Sequence, residues 1–145
     1  MTTTTETLAL ADALVRVSHL VQHVFSDVSR EHGLTPQQTQ LLCRLVPGPA
    51  RMADLGRMLN LEKSSVTGLV DRVERRGLVT RARAQDASDR RACLVTLTTE
   101  GSKLAVQAHC GVTTRLGLLV SELPEADADQ MASGLLRILA QSPAG

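Results

Sequence analysis

Two short stretches carry side chains able to grip a polyanion. In "KSSVTGLVDR", from Lys63 to Arg72, the hydroxyls of Ser64, Ser65 and Thr67 precede the long cation Arg72. In "DASDRRACLVTLT", from Asp86 to Thr98, charged residues fill four of the first six positions before the pattern turns apolar and alternating. Short hydroxyls near a helix start suit a groove about 12 Å wide, where they bond to base edges or phosphates, and the helix N-terminus adds backbone donors. A guanidinium suits a narrow minor groove, where negative potential is strongest. An acid two positions before an arginine holds the guanidinium fork in place before it docks. Asp89 is therefore expected to orient Arg91 for insertion, with Arg81, Arg83 and Arg90 on phosphates. Arg72 is either a further contact or the partner of its neighbours Asp71 and Glu74.

The charge distribution points the same way. The whole chain is +1. Between Arg51 and Arg91, however, ten Lys and Arg face six Asp and Glu, an excess of four cations, while both flanks are mildly acidic. Such a basic centre predicts a polyanion surface on one part of the molecule. Phe25 is the single aromatic residue. Without a stacking platform, single-stranded nucleic acid is a poor fit and duplex DNA a better one.

These residues must be positioned by helices and a hairpin. Leu10, Leu14, Val17, Val21, Val24 and Val28 recur at three- and four-residue steps, predicting a helix from about Glu6 to Glu31 that Gly33 ends. "TTTT" and "SPAG" read as frayed tails. In "LTPQQTQLLCRL", Thr35 is the N-cap, Pro36 the first helical residue and Gln38 the return arm of a capping box. "RMADLGRMLN" predicts a two-turn helix stopped at Asn60. "KSSVTGLVDRVERRG" predicts another, with Val66, Leu69, Val70 and Val73 inward and Gly77 as its end. Two helices joined so tightly, the second basic and hydroxylated outside, form a helix-turn-helix. "LVTRARA" and "ACLVTLT" then predict a hairpin with an extended tip, which makes the motif winged. From "TTEGSKL" a long helix runs toward Pro124, and "EADADQMASGLLRILAQ" forms the last. The fold class is mainly α (α+β). A winged helix-turn-helix domain spans residues 34–99, and helices in 1–33 and 100–145 expose enough apolar surface to require a dimer.

"LEKSSVTGLVDRVERRGLVTR" followed by "DASDRRACLVTLTTEG" resembles the MarR family of bacterial transcription regulators. The shared pattern is an Asp, spaced residues, D-x-R, a strand ending in Leu-Thr, and a Gly opening the next helix. The resemblance covers nearly the whole chain. It implies a two-fold dimer through the first and last helices, each winged domain on one half-site of a palindromic operator, and action as a repressor. It places Asp89 and Arg91 at the D-x-R wing positions, Ser64, Ser65 and Thr67 on the groove-reading face, and Asp71 and Arg72 at a habitual Asp-Arg pair. Gly68 departs from members that carry a base-reading arginine at that position. The resemblance also implies release by a small phenolic or carboxylated aromatic effector in a crevice between dimer helices and winged domain.

Arg16, His19 and His23 form one row opposite the apolar stripe of the first helix, suited to clamping a carboxylate and meeting a phenol. They are the candidate effector residues, with a solvated stripe as the competing reading. Metal sensing through His19 and His23, helped by His109 and Cys110, lacks a complete ligand set. A redox-responsive variant has no cysteine before Cys43 to work with. Cys43, Cys93 and Cys110, odd in number and far apart, suit reduced thiols, and with no signal peptide or membrane-length apolar run a cytoplasmic location is expected. No cofactor is expected, and no nucleophile-base pair, paired carboxylates or phosphate-binding glycine loop suggests an enzyme. A winged helix serving only as a protein-interaction module is the remaining alternative.

Overall fold

The structure, a computed structural model, describes residues 2–83 and 93–142, with side chains from residue 4 onward. Element order is α1 (Thr2–Glu31), α2 (Pro36–Arg44), β1 (Ala50–Arg51), α3 (Met52–Leu59), α4 (Lys63–Arg75), β2 (Val79–Arg83), β3 (Cys93–Leu97), α5 (Thr99–Val120) and α6 (Glu125–Gln141). The winged helix-turn-helix reading holds.

Local chemistry explains most boundaries. Thr35 Oγ1 accepts from Gln38 N–H at 3.2 Å while Gln38 Oε1 accepts from Thr35 N–H at 3.1 Å, so the capping box is closed. Asn60 adopts a left-handed φ of 53°, which reverses the chain between α3 and α4. Thr98 Oγ1 accepts from Gly101 N–H at 3.0 Å and starts α5. One boundary differs: α1 begins at Thr2, a turn before the expected start, because no residue in the threonine run interrupts helical geometry. Another feature was unread. β1 is only two residues long, too short for any periodicity, yet it pairs antiparallel with β3, Ala50 opposite Val95. The sheet order is β1-β3-β2, with Val79 opposite Leu97 and Arg83 opposite Cys93.

The main core lies under the helix-turn-helix, where Leu41, Leu42, Leu55, Val70, Val73 and Val95 are fully buried. Each such side chain contributes roughly 1.5–3 kcal/mol of transfer free energy. A smaller cluster joins α1 to α5 through Val24, Val28, Ala108 and Val112. Between the two, Ser29 and Thr39 are wholly buried and share a hydroxyl hydrogen bond of 2.6 Å, pinning α1 to α2 without an orphaned polar group.

Candidate nucleic-acid interface

Helix α4 is two-sided. Val66, Leu69, Val70 and Val73 are buried, which turns Ser64, Ser65 and Arg72 outward to solvent. Thr67 is half-buried, and its hydroxyl donates to Lys63 C=O at 2.9 Å, leaving the oxygen lone pairs outward as acceptors. Glu62 occupies the N-cap position with no side-chain cap bond, so the first-turn amides remain available to an anion. Ser64, Ser65, Gly68 and Arg72 share a cleft of about 340 Å³ with Gln37, from the start of α2, and Leu61. Gln37 drew no notice in the sequence; its place beside α4 depends on how α2 packs, which no local pattern encodes.

The pairing of the arginines adds what local sequence did not show. Arg81, exposed on β2, is paired within the domain: its Nη2 lies 2.6 Å from Asp71 Oδ1 and 2.9 Å from Glu74 Oε1. Its backbone N–H also donates to Glu74 Oε2 at 3.2 Å. The hydrogen bond to Glu74, then the Asp71 and Glu74 charges, raise the guanidinium above its ordinary value. The physical reason is geometric. Residues 71 and 74 lie one turn apart on the flank of α4 that faces β2, so both carboxylates reach the same strand residue. Arg72 therefore loses its expected partners. Among the described residues no carboxylate lies within ion-pair distance of it.

Arg83 is exposed at the outer end of β2. Asp86, Asp89, Arg90 and Arg91 lie outside the described residues. Arg76 is an anchor: its Nη1 donates to Gly33 C=O at 2.8 Å, tying the end of α4 to the α1-α2 junction.

On α1, Arg16, His19 and His23 are all exposed, and Arg16 Nε pairs with Asp12 at 2.9 Å. A cavity of about 1060 Å³ lies elsewhere, between α3, α4 and the sheet, where Arg57, Lys63, Thr67, Arg81 and Cys93 are among its lining. Among the described residues no group of three or more His, Cys, Asp or Glu is placed to hold a metal ion. All three cysteines are free thiols, and burial pushes the Cys43 thiol above its ordinary value, away from the reactive thiolate.

Much apolar surface remains uncovered at the chain ends. α6 buries no residue, although Met131, Leu135, Leu136, Ile138 and Leu139 run along it. Leu10 and Val17 on α1, and Leu118 and Leu119 on α5, are likewise exposed. Among the described residues no helix is long and apolar enough to cross a membrane.

Comparison with known proteins adds a family. A sequence model of the MarR family matches residues 32–92. The uncharacterised helix-turn-helix-type transcriptional regulator YkoM of Bacillus subtilis strain 168 is 30% identical over 111 residues, covering 76% of this chain and 70% of that protein. The homoprotocatechuate degradative operon repressor of Escherichia coli is 31% identical over 102 residues, 70% of this chain and 68% of that one. CouR from Rhodococcus jostii RHA1, solved bound to p-coumaroyl-CoA, superposes with a TM-score of 0.73 at 25% identity over 89% of this chain and 90% of that chain.

Proposed function

Because the chain belongs to the MarR family of DNA-binding transcriptional regulators, we propose that it is a repressor that binds a palindromic operator as a homodimer and leaves it when a small aromatic acid or phenol binds. The observation that carries this reading is the outward face of α4, where exposed serines and an arginine with no ion-pair partner among the described residues stand on a helix whose other face is core. In this reading Ser64, Ser65, Thr67 and Arg72 enter a major groove. Arg91, oriented by Asp89, enters the adjacent minor groove, and Arg83 and Arg90 hold phosphates.

Residues 34–99 act as the reading domain. Residues 1–33 and 100–145 act as the dimerisation arm, since a second copy is the natural cover for an α6 that buries nothing. Two reading domains related by a two-fold axis then meet half-sites one helical turn apart. A regulator of this kind works where the chromosome is, which places it in the cytoplasm.

The effector class takes support from two relatives, one named for a homoprotocatechuate operon and one solved with p-coumaroyl-CoA. Arg16, His19 and His23 would meet the effector carboxylate and phenol in a crevice completed by the partner copy. Selection of bound genomic fragments, followed by a thermal-shift screen of aromatic acids, tests the reading. Expected are an enriched inverted repeat and an acid that both raises the melting temperature and frees the DNA. Fragments with no shared repeat would overturn it.

A further inference from the structure

We propose that Arg72 sets the sequence preference of this protein, reading a guanine from a seat over Gly68, and that Arg81 serves as the internal counter-ion that leaves Arg72 able to do so. This rests on the DNA-binding reading above.

Three observations converge on Arg72. The first is that, among the described residues, it has no ion-pair partner. Asp71 and Glu74 are its nearest acidic neighbours in sequence, and both turn to Arg81 at 2.6 and 2.9 Å. A guanidinium already bound to two carboxylates has little to offer DNA, whereas an unpaired one breaks no internal bond on docking. The second is direction. The Arg72 side chain leans back over the preceding turn, as helical side chains do, so that Nη1 and Nη2 sit 3.7 and 3.9 Å from where a Cβ at position 68 would stand. Gly68 leaves that space open. The third is company. The cleft that holds Arg72 also holds Ser64, Ser65 and Gln37, and Arg72 is the sole cation in its lining.

A planar fork on a groove-facing helix matches guanine, whose O6 and N7 accept two parallel N–H bonds. A lysine at the same position keeps the charge and loses the fork. That difference separates base reading from phosphate holding. A phosphate contact tolerates Lys, weakening all sequences alike when removed; a bidentate base contact does not.

The test uses the full chain, a duplex recovered by genomic selection and a scrambled duplex of equal length and composition. Arg72→Lys is expected to weaken operator binding about 5- to 150-fold while leaving scrambled binding unchanged, the range of one good bidentate pair. Gly68→Leu fills the seat and is expected to do the same. Replacing the contacted guanine by 7-deazaguanine, which lacks the N7 acceptor, should abolish the difference between wild type and Arg72→Lys. An operator-to-scrambled ratio that survives Arg72→Lys, or an equal loss on both duplexes, overturns the assignment. If wild type itself ignores both duplexes, the DNA-binding reading fails instead.

Discussion

Replacing Gly101 by alanine tests how tightly α5 is joined to the turn between α4 and β2. Gly101 sits in the first turn of α5, pressed on the turn between α4 and β2. A Cβ there would stand 1.8 Å from Leu78 O, 2.7 Å from Leu78 C and 3.1 Å from Leu78 Cα. To reach the 3.0 Å below which real contacts essentially never fall, backbone must open by about 1.2 Å, the difference from 1.8 Å. Nothing flexible is available to give way, since the obstacle is main chain. Three hydrogen bonds span this junction: Thr98 N–H to Leu78 C=O at 3.0 Å, Thr98 Oγ1–H to Gly77 C=O at 2.6 Å, and Gly101 N–H to Thr98 Oγ1 at 3.0 Å. Overpacking of this kind costs about 1–3 kcal/mol, and a broken hydrogen bond about 0.5–1.5 more. The better helix propensity of alanine offsets about 0.5–1 kcal/mol. The net expectation is a loss of roughly 2–3 kcal/mol, or about 6–12 °C in melting temperature for a chain of this size. Urea unfolding followed by far-ultraviolet circular dichroism measures it. Gly68→Ala is the control, because its Cβ would meet only ordinary contacts; it should be neutral or stabilising by up to about 1 kcal/mol. A Gly101→Ala protein as stable as wild type would refute the packing argument.

Other outcomes follow from the same geometry. Arg81→Gln breaks two partly exposed ion pairs and should lower stability by about 1 kcal/mol at low salt and less at 1 M, as screening removes the attraction; a loss independent of salt would contradict the ionic account. The Arg115 guanidinium, through its hydrogen bond, holds the Glu31 carboxyl below its ordinary 4.5. A depressed folded value contributes stability above the unfolded value that fades as pH falls through the folded one. Wild type should therefore outlast Glu31→Gln at pH 7, with the gap closing below pH 4.5, and thermal melts across that range would show a constant gap if the pairing were irrelevant. Leu136→Asp, in the middle of the uncovered α6 stripe, should raise the dissociation constant of the proposed dimer at least about 30-fold by putting a charge where the second copy would cover an exposed leucine. Sedimentation equilibrium reads this directly, and an unaltered constant would remove α6 from the interface.

Most of the helical frame was legible because its signals are local. The Thr35 to Gln38 box, the left-handed Asn60 and the glycine stops at 33 and 77 each act within a few residues of their own position. The α4 faces were legible too, since Val66, Leu69, Val70 and Val73 mark the inward side by spacing alone. What escaped is what depends on a second element. The partners of Arg81 escaped because the two carboxylates that hold it belong to the preceding helix, and nothing in "LVTRAR" reveals which way α4 turns its acidic flank. β1 escaped because two residues carry no period. Gln37 escaped for the same reason as Arg81: its neighbours at Ser64 and Ser65 are supplied by packing. The candidate effector residues on α1 stand exposed in one chain, and a pocket around them belongs to the proposed dimer alone.

The salt dependence of binding to the selected duplex tests the central claim most directly. Each phosphate neutralised by Lys or Arg contributes about −0.9 to the slope of log affinity against log salt for B-DNA. A homodimer laying α4 and a cationic wing on each half-site should give a steep line, with two chains per duplex. A slope near zero, or saturation at one chain per duplex, would contradict the account.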